Sequence, residues 1–265
     1  MNNIILHGLK SNYKGLIGWM FGITIWTVIV LAMFPTFIEA GDAFLEVLKS
    51  YPPELLKAIG FTEEAFNSFE GFYGYIATYS YLIIAMYASY LGVKLFAEDN
   101  KLKTNDFLYT KPIGRTKVFV SKFLTGIYLL TIFVTTYIIF IQVSAYSFFK
   151  VDTDFDILLK MDLSLIGIVL FIYLFSMLVG TVYTSIRSYI SIAMPITLLF
   201  FLLDLVGTLI DKPIISYITP FGMFNKSLIL TEGNYEVKYI IVGILLMFIF
   251  IIVSFVKEKT KDVRG

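Results

Sequence analysis

The stretch "TNDFLYTKPIGRTKVFVSK", Thr104 to Lys122, carries Lys111, Arg115, Lys117 and Lys122 and lies between two strongly apolar runs. On its C-terminal side, Phe123 to Phe149 holds no charged residue; on its N-terminal side, Gly71 to Val93 holds none either. About 20 apolar residues at 1.5 Å rise cross a ~30 Å hydrocarbon core, where only internally satisfied backbone is tolerated. Both runs are long enough, so the quoted stretch reads as a polar hairpin between two membrane helices.

Three more charge-free runs follow the same rule: Gly15 to Ile38, Leu163 to Ile186 and Tyr239 to Val256. A sixth, Ser188 to Ile210, is interrupted only by Asp204 and contains Pro195, which membrane helices accept where neighbours cover the freed carbonyl. Hydrophobic residues make up 58% of the chain and charged residues 15%, against ~25% charged in soluble domains. The fold class expected is an all-α integral membrane protein, a single transmembrane domain over 1–265. Its parts are an interfacial helix over 1–14 and spans at about 15–38, 71–96, 117–149, 163–186, 188–210 and 239–256.

Met1 to Lys14 shows no cleavable-signal pattern, so the first span is expected to stay. Its "NNIILHGLKSNYK" reads as a modestly amphipathic helix on the membrane surface. With no cysteine and one histidine, His7, the chain has no disulfides, thiolate sites or His-rich metal centre.

Six spans put both termini on one side, and the Lys/Arg bias between loops says which. One side holds fourteen of the 21 Lys and Arg: Lys10, Lys14, Lys94, Lys101, Lys103, Lys111, Arg115, Lys117, Lys122, Arg187, Lys257, Lys259, Lys261 and Arg264. The termini are therefore expected in the cytoplasm, and the quoted hairpin with them. Of the outer segments, Glu39 to Glu70 is the longest. Lys150 to Asp162, with "VDTDFD", reads as a solvated acidic loop, since the Gly and Glu of a calcium-binding loop are missing. Asp211 to Lys238 is too long for a turn and too apolar for a plain loop, and is expected to dip back toward the membrane as a re-entrant segment.

Within the hairpin, Glu98 to Tyr109 can form a short helix that Pro112 stops. Gly114 and Thr116 then open a second helix running into the third span. Phe107, Leu108 and Tyr109 project among basic residues, and exposed apolar side chains call for headgroups or a partner. An electrostatic membrane anchor is the plainer reading of the same charges.

These residues resemble the permease subunits of type-2 ABC exporters. Their first cytoplasmic loop has an acidic start, then "LL", then P-[IV]-[SG]-R-[ST]-[KR]; here it is "FAEDNKLKTNDFLYTKPIGRTKVFVSKFL". "TSIRSYISIAM" (Thr184 to Met194) and "YITPFGMF" (Tyr217 to Phe224) fit in order. Glu98-Asp99 stands where the family commonly has Glu followed by a basic residue. The resemblance implies that the hairpin is a coupling helix seated in a cleft of a separate ATPase. Glu98, Phe107, Leu108, Tyr109, Pro112, Arg115 and Lys117 would be its contact residues. It also implies a second permease subunit, identical or similar, a bacterial plasma membrane location, and ATP with Mg held by the partner ATPase rather than by this chain.

The sequence has no G-x-x-x-x-G-K-[ST] to cradle nucleotide phosphates, and no H-E-x-x-H, G-x-S-x-G or glycine-rich dinucleotide turn. No catalytic residue, metal site or nucleic-acid partner is expected. The function expected is export of a hydrophobic or amphipathic substrate, a peptide, an antimicrobial or a lipid, driven by a separate ATPase. An ion-coupled secondary transporter, or a non-transporting scaffold or sensor, is the alternative. Candidate path residues are Tyr79 and Tyr87 in the tyrosine-dense second span, Gln142 in the third and Asp204 in the fifth. For the tyrosines, helix packing is the competing role. For Asp204 it is snorkelling to the headgroups or pairing with a neighbouring helix.

Overall fold

The structure is a computed structural model that describes residues 2–39, 50–52, 55–56, 68–101, 114–146, 154–183, 187–210, 212, 214–215 and 218–260. Among these residues all regular structure is helical: α1 (Asn2–Leu31), α2 (Phe34–Glu39), α3 (Phe69–Lys101), α4 (Arg115–Ser144), α5 (Phe155–Val182), α6 (Ile190–Leu209), α7 (Pro220–Met223), α8 (Lys226–Glu232) and α9 (Val237–Thr260). Six of them, α1, α3, α4, α5, α6 and α9, are long and apolar enough to cross a membrane. Even α6, with 20 residues, reaches about 30 Å.

Cross-helix contacts fix the directions. Tyr73 meets Asp162 and Ser89 meets Ser176, so α3 and α5 run parallel. Thr27 meets Ser80 and Asn12 meets Lys94, so α1 runs against α3. Gln142 meets Asp162 and the Phe123 carbonyl meets Tyr173, so α4 runs against α5. The first and last described residues therefore lie at one end of the bundle, called here the terminal side; the α4–α5 and α6–α9 connections lie at the distal side.

The centre is the α3–α5 pair, the most buried of the six. Lipid gives helices no hydrophobic reason to associate, so membrane cores depend on small residues and hydroxyls that let backbones approach. Gly92 and Gly180 do this. A Cβ on Gly92 would stand 2.7 Å from the Tyr173 carbonyl oxygen, and one on Gly180 2.9 Å from that of Val93. Between them the Ser89 and Ser176 hydroxyls meet at 2.7 Å, and Ser89 also donates to the Ala193 carbonyl of α6 at 2.9 Å. Outside the pair, α1 and α4 cover one flank. On the other, Phe200 of α6 and Phe250 of α9 close edge-on against Phe171 and Phe175.

Two features differ from the sequence expectation. The segment 2–14 is continuous with the first span, because α1 runs unbroken to Leu31. Its early turns pack on α4, where Gly8 abuts Thr125. The acidic loop expected up to Asp162 ends at Asp154. That residue caps α5, its carboxylate accepting from the amides of Asp156 and Ile157, so the helix starts eight residues before the predicted span and takes Asp162 inside. The segment before α9 folds into two short helices, α7 and α8, laid against the bundle. Leu230 fills the space beside Gly74, and Phe224 the space beside Gly167.

Candidate functional site

From Glu70 to Glu98, α3 is buried all round except at Tyr75, Tyr79, Leu82, Ile83, Met86, Tyr90, Lys94 and Glu98. Steps of three and four place these on one narrow stripe. Near Tyr90 the stripe passes between α1 and α6: the Tyr90 ring meets Tyr189, and Lys94 donates to Asn12 Oδ1 at 2.8 Å. At Ile83 it borders an apolar groove whose other wall is α1, with Gly15, Gly18, Trp19, Gly22, Ile23 and Trp26.

Of the predicted path residues, Tyr79 lies on this stripe, its ring edge-on to Tyr75 at 5.5 Å. Tyr87 does not. It is buried between Trp19, Tyr90 and Phe133, its hydroxyl without a hydrogen-bond partner. Gln142 and Asp204 lie apart from the stripe, each bound to something the sequence did not reveal.

Gln142 donates from Nε2 to Asp162 Oδ2 at 2.8 Å. The other carboxylate oxygen of Asp162 accepts from the Tyr73 hydroxyl and, at 3.4 Å, from Tyr81. Asp162 is fully buried. One acid thus joins α3, α4 and α5 through three neutral donors, an arrangement that stabilises a carboxylate away from water. Polar contacts continue toward α1, where Thr27 and Ser80 share a 3.0 Å hydrogen bond beside the Tyr137 hydroxyl. Sequence reasoning missed Asp162 by reading it as the end of a loop. The signal was present in Asp154 followed by an acidic first turn and apolar residues at Ile157, Leu158, Met161 and Leu165.

Asp204 of α6 accepts from the Thr219 hydroxyl at 3.1 Å, and that oxygen in turn accepts from the Gly222 amide at 3.1 Å, capping α7. Lys226, at the start of α8, lies near the same carboxylate and 5.9 Å from the centre of the Tyr81 ring. Burial pushes the Lys226 ammonium down to about 8, with Asp204 acting in the opposite sense. Asp204 therefore tethers the distal segment to the bundle. Farther along, Lys160 donates to the Gly233 carbonyl at 3.0 Å, and Tyr235 returns a hydrogen bond to the Lys160 carbonyl.

On the terminal side, Phe107, Leu108, Tyr109 and Pro112 lie outside the described residues. Glu98 is half-buried near the end of α3, and Lys117 is exposed at the start of α4. Beside it, Arg115 Nη1 donates to the Lys259 carbonyl at 3.0 Å, joining the start of α4 to the end of α9.

The family model of the ABC-2 family transporter proteins matches residues 19–263. The chain belongs to that family. ABC-2 permeases are the transmembrane components of ABC transporters, are not themselves ATPases and work with an ATPase subunit. No curated protein and no solved structure matches the chain. For an ABC-2 permease, an open stripe on an otherwise enclosed helix is the feature of interest, and the Asp162 and Asp204 contacts are the ties that hold the surrounding helices in place.

Proposed function

We propose that this permease is the membrane half of an ATP-driven exporter. Its terminal side faces the cytoplasm of a bacterium, an ATPase subunit docks on the segment between α3 and α4, and a second permease subunit completes the path. The substrate is a hydrophobic or amphipathic molecule that moves outward along the α3 stripe. The observation that carries this reading is the family match over residues 19–263 on a six-span bundle whose sequence has no P-loop. The basic bias of the loops supports the orientation. The ion-coupled carrier has less support: Asp162 and Asp204, the acids it could use, are engaged by hydroxyl and amide donors away from the stripe.

The test is at the docking segment. Phe107→Asp with Leu108→Asp places charge in an apolar contact and is expected to abolish ATPase co-purification and export while membrane levels stay normal, a cost of several kcal/mol. Lys101→Ala with Lys103→Ala removes solvated charges contributing about 0–1 kcal/mol each and should leave both nearly intact. Retained ATPase and transport in the aspartate pair, with loss of both in the alanine pair, would make the segment an electrostatic anchor and refute the docking.

A further inference from the structure

We propose that the groove between α1 and α3 binds an amphipathic anion, its apolar body along α1 and its anionic group on Lys94. The groove has a volume of about 560 Å³. Gly15, Gly18 and Gly22 leave its floor open, with nothing within 4 Å of where a side chain would begin, and Trp19, Trp26 and Ile83 form its walls. From Gly15 to Trp26 it extends eleven residues along α1, about 16 Å. Along that length the lining side chains carry no charge, and their only polar atoms are the indole nitrogens of Trp19 and Trp26. The charged group stands at its end.

Gly15 is less than one turn from Asn12, which is 4% exposed and fixed by donating from Nδ2 to the Gly8 carbonyl at 2.8 Å and to Ser11 Oγ at 3.0 Å. This turns Asn12 Oδ1 toward Lys94, whose ammonium it accepts at 2.8 Å while the Tyr90 ring lies 5.7 Å below it. Asn12 and the ring orient the ammonium without neutralising it. Among the described residues no carboxylate comes within ion-pair distance of Lys94, and that includes Glu98, one turn along α3. An ammonium has three donors, of which Asn12 takes one. A charge inside a membrane helix calls for a counter-charge, and an oxyanion with a long apolar tail supplies both the charge and the fit. Phosphate and carboxylate headgroups share this chemistry, whether on a resident lipid or on cargo. Naming the ligand as cargo rests on the exporter reading; the binding itself does not.

Trp19 and Trp26 are the only tryptophans in the chain, so the groove carries its own reporter. The full-length protein in a non-ionic detergent is titrated with a brominated alkyl phosphate and with a brominated alkyl trimethylammonium of equal chain length, following quenching of tryptophan fluorescence. The phosphate should quench saturably at a concentration lower by about tenfold or more. Lys94→Gln should erase that preference and Lys94→Arg keep it. Gly18→Leu with Gly22→Leu should abolish quenching by both probes. Displacement by unlabelled phosphatidylglycerol or by unlabelled alkyl phosphate supports the site and separates resident lipid from single-chain cargo. Equal quenching by both charges, a Lys94→Gln protein that keeps the preference, or a groove closed to both probes because a second copy covers it overturns the proposal. None of these measurements involves the ATPase, so failure here leaves the exporter reading standing, and loss of ATPase docking leaves this site untouched.

Discussion

Two faces of α3 share a composition and do opposite work. The buried side carries Tyr73, Tyr81, Ser89 and Gly92 toward α5 and Ser80 toward α1, and its hydroxyls hydrogen-bond within the bundle. The stripe carries Tyr75, Tyr79, Tyr90 and Lys94, all partly exposed, and among the described residues no acid comes within ion-pair distance of Lys94. Tyrosine alone therefore says nothing about role in a membrane helix. Its neighbours decide whether the ring is a packing element with a bonded hydroxyl or a surface for something else.

The sharpest way to break this comparison is to add bulk on each face. Gly92→Leu drives a side chain into the α5 backbone, 2.7 Å from the Tyr173 carbonyl, and neither helix can yield without separating. A loss of about 3 kcal/mol or more is expected, read as a large fall in the detergent melting temperature or in folded yield. Gly18→Leu in the groove, where nothing lies within 4 Å, should change stability by less than about 0.5 kcal/mol. Equal effects would mean that the groove is as tightly packed as the core.

Next in size is the buried acid. Asp162→Leu strands the donors of Tyr73 and Gln142 at once, while Tyr81 keeps the Met161 carbonyl at 3.0 Å. At roughly 1 kcal/mol per unmade hydrogen bond the cost is about 2 kcal/mol. The companion change Asp204→Leu strands the Thr219 hydroxyl, which still caps α7, and should cost about 1 kcal/mol. Chemical unfolding in mixed micelles ranks the two; a reversed order would contradict the assignment of Asp162 as the node.

These two acids also show what was legible. The number of spans, their order and the alternation of loops followed from charge-free runs, because a membrane forbids unpaired backbone and so writes span length directly into sequence. Asp204 drew attention because it alone interrupts a run. Asp162 did not, because a carboxylate at the edge of a run looks the same whether it ends a helix or sits about two turns inside it; only its partners on α3 and α4 distinguish the cases. The split of the tyrosines was hidden for a related reason. Both faces of α3 are apolar enough for lipid, so periodicity carries no contrast between path and packing for Tyr87, which is packed against Trp19 and Phe133. Lys94 was counted only toward the charge bias, since nothing nearby in sequence says that Asn12 would meet it.

A smaller effect comes from Lys226, which rests on the buried-face ring of Tyr81. Its folded-state value of about 8 lies below the ordinary lysine value of 10.5, so between those limits the unfolded chain holds a proton that the folded one lacks. Stability should rise as pH climbs from about 8 to 10.5, while below 8 the burial penalty is constant. The amplitude is on the order of 2 kcal/mol after discounting for partial exposure. Tyr235, held up to about 12 by burial, works in the opposite sense only above pH 10. Lys226→Met should flatten the slope and stabilise the protein at pH 7, both visible in melting curves collected across pH; a slope unchanged by the substitution would move its origin elsewhere.

The smallest expected effect lies where the two faces meet the proposed motor. Arg115 donates to the Lys259 carbonyl near the end of α9, where the last carbonyls of a helix have no intrahelical donor and where a cation also complements the helix dipole. Arg115→Ala removes one charge-assisted hydrogen bond at a half-exposed site, so stability should fall by only about 0.5–1 kcal/mol. The position matters more than the energy, because α4 begins at the C-terminal end of the docking segment and Arg115 is its first residue. If displacement of that segment reaches α9 through this bond, Arg115→Ala should lower substrate-stimulated hydrolysis by more than any loss of ATPase binding accounts for. Arg115→Lys, which keeps a donor and the charge, should restore part of it. A variant whose stimulated and basal rates both match the unmodified protein would show that α4 and α9 move independently at the terminal side, leaving the contacts of α3 with α5 as the route for force.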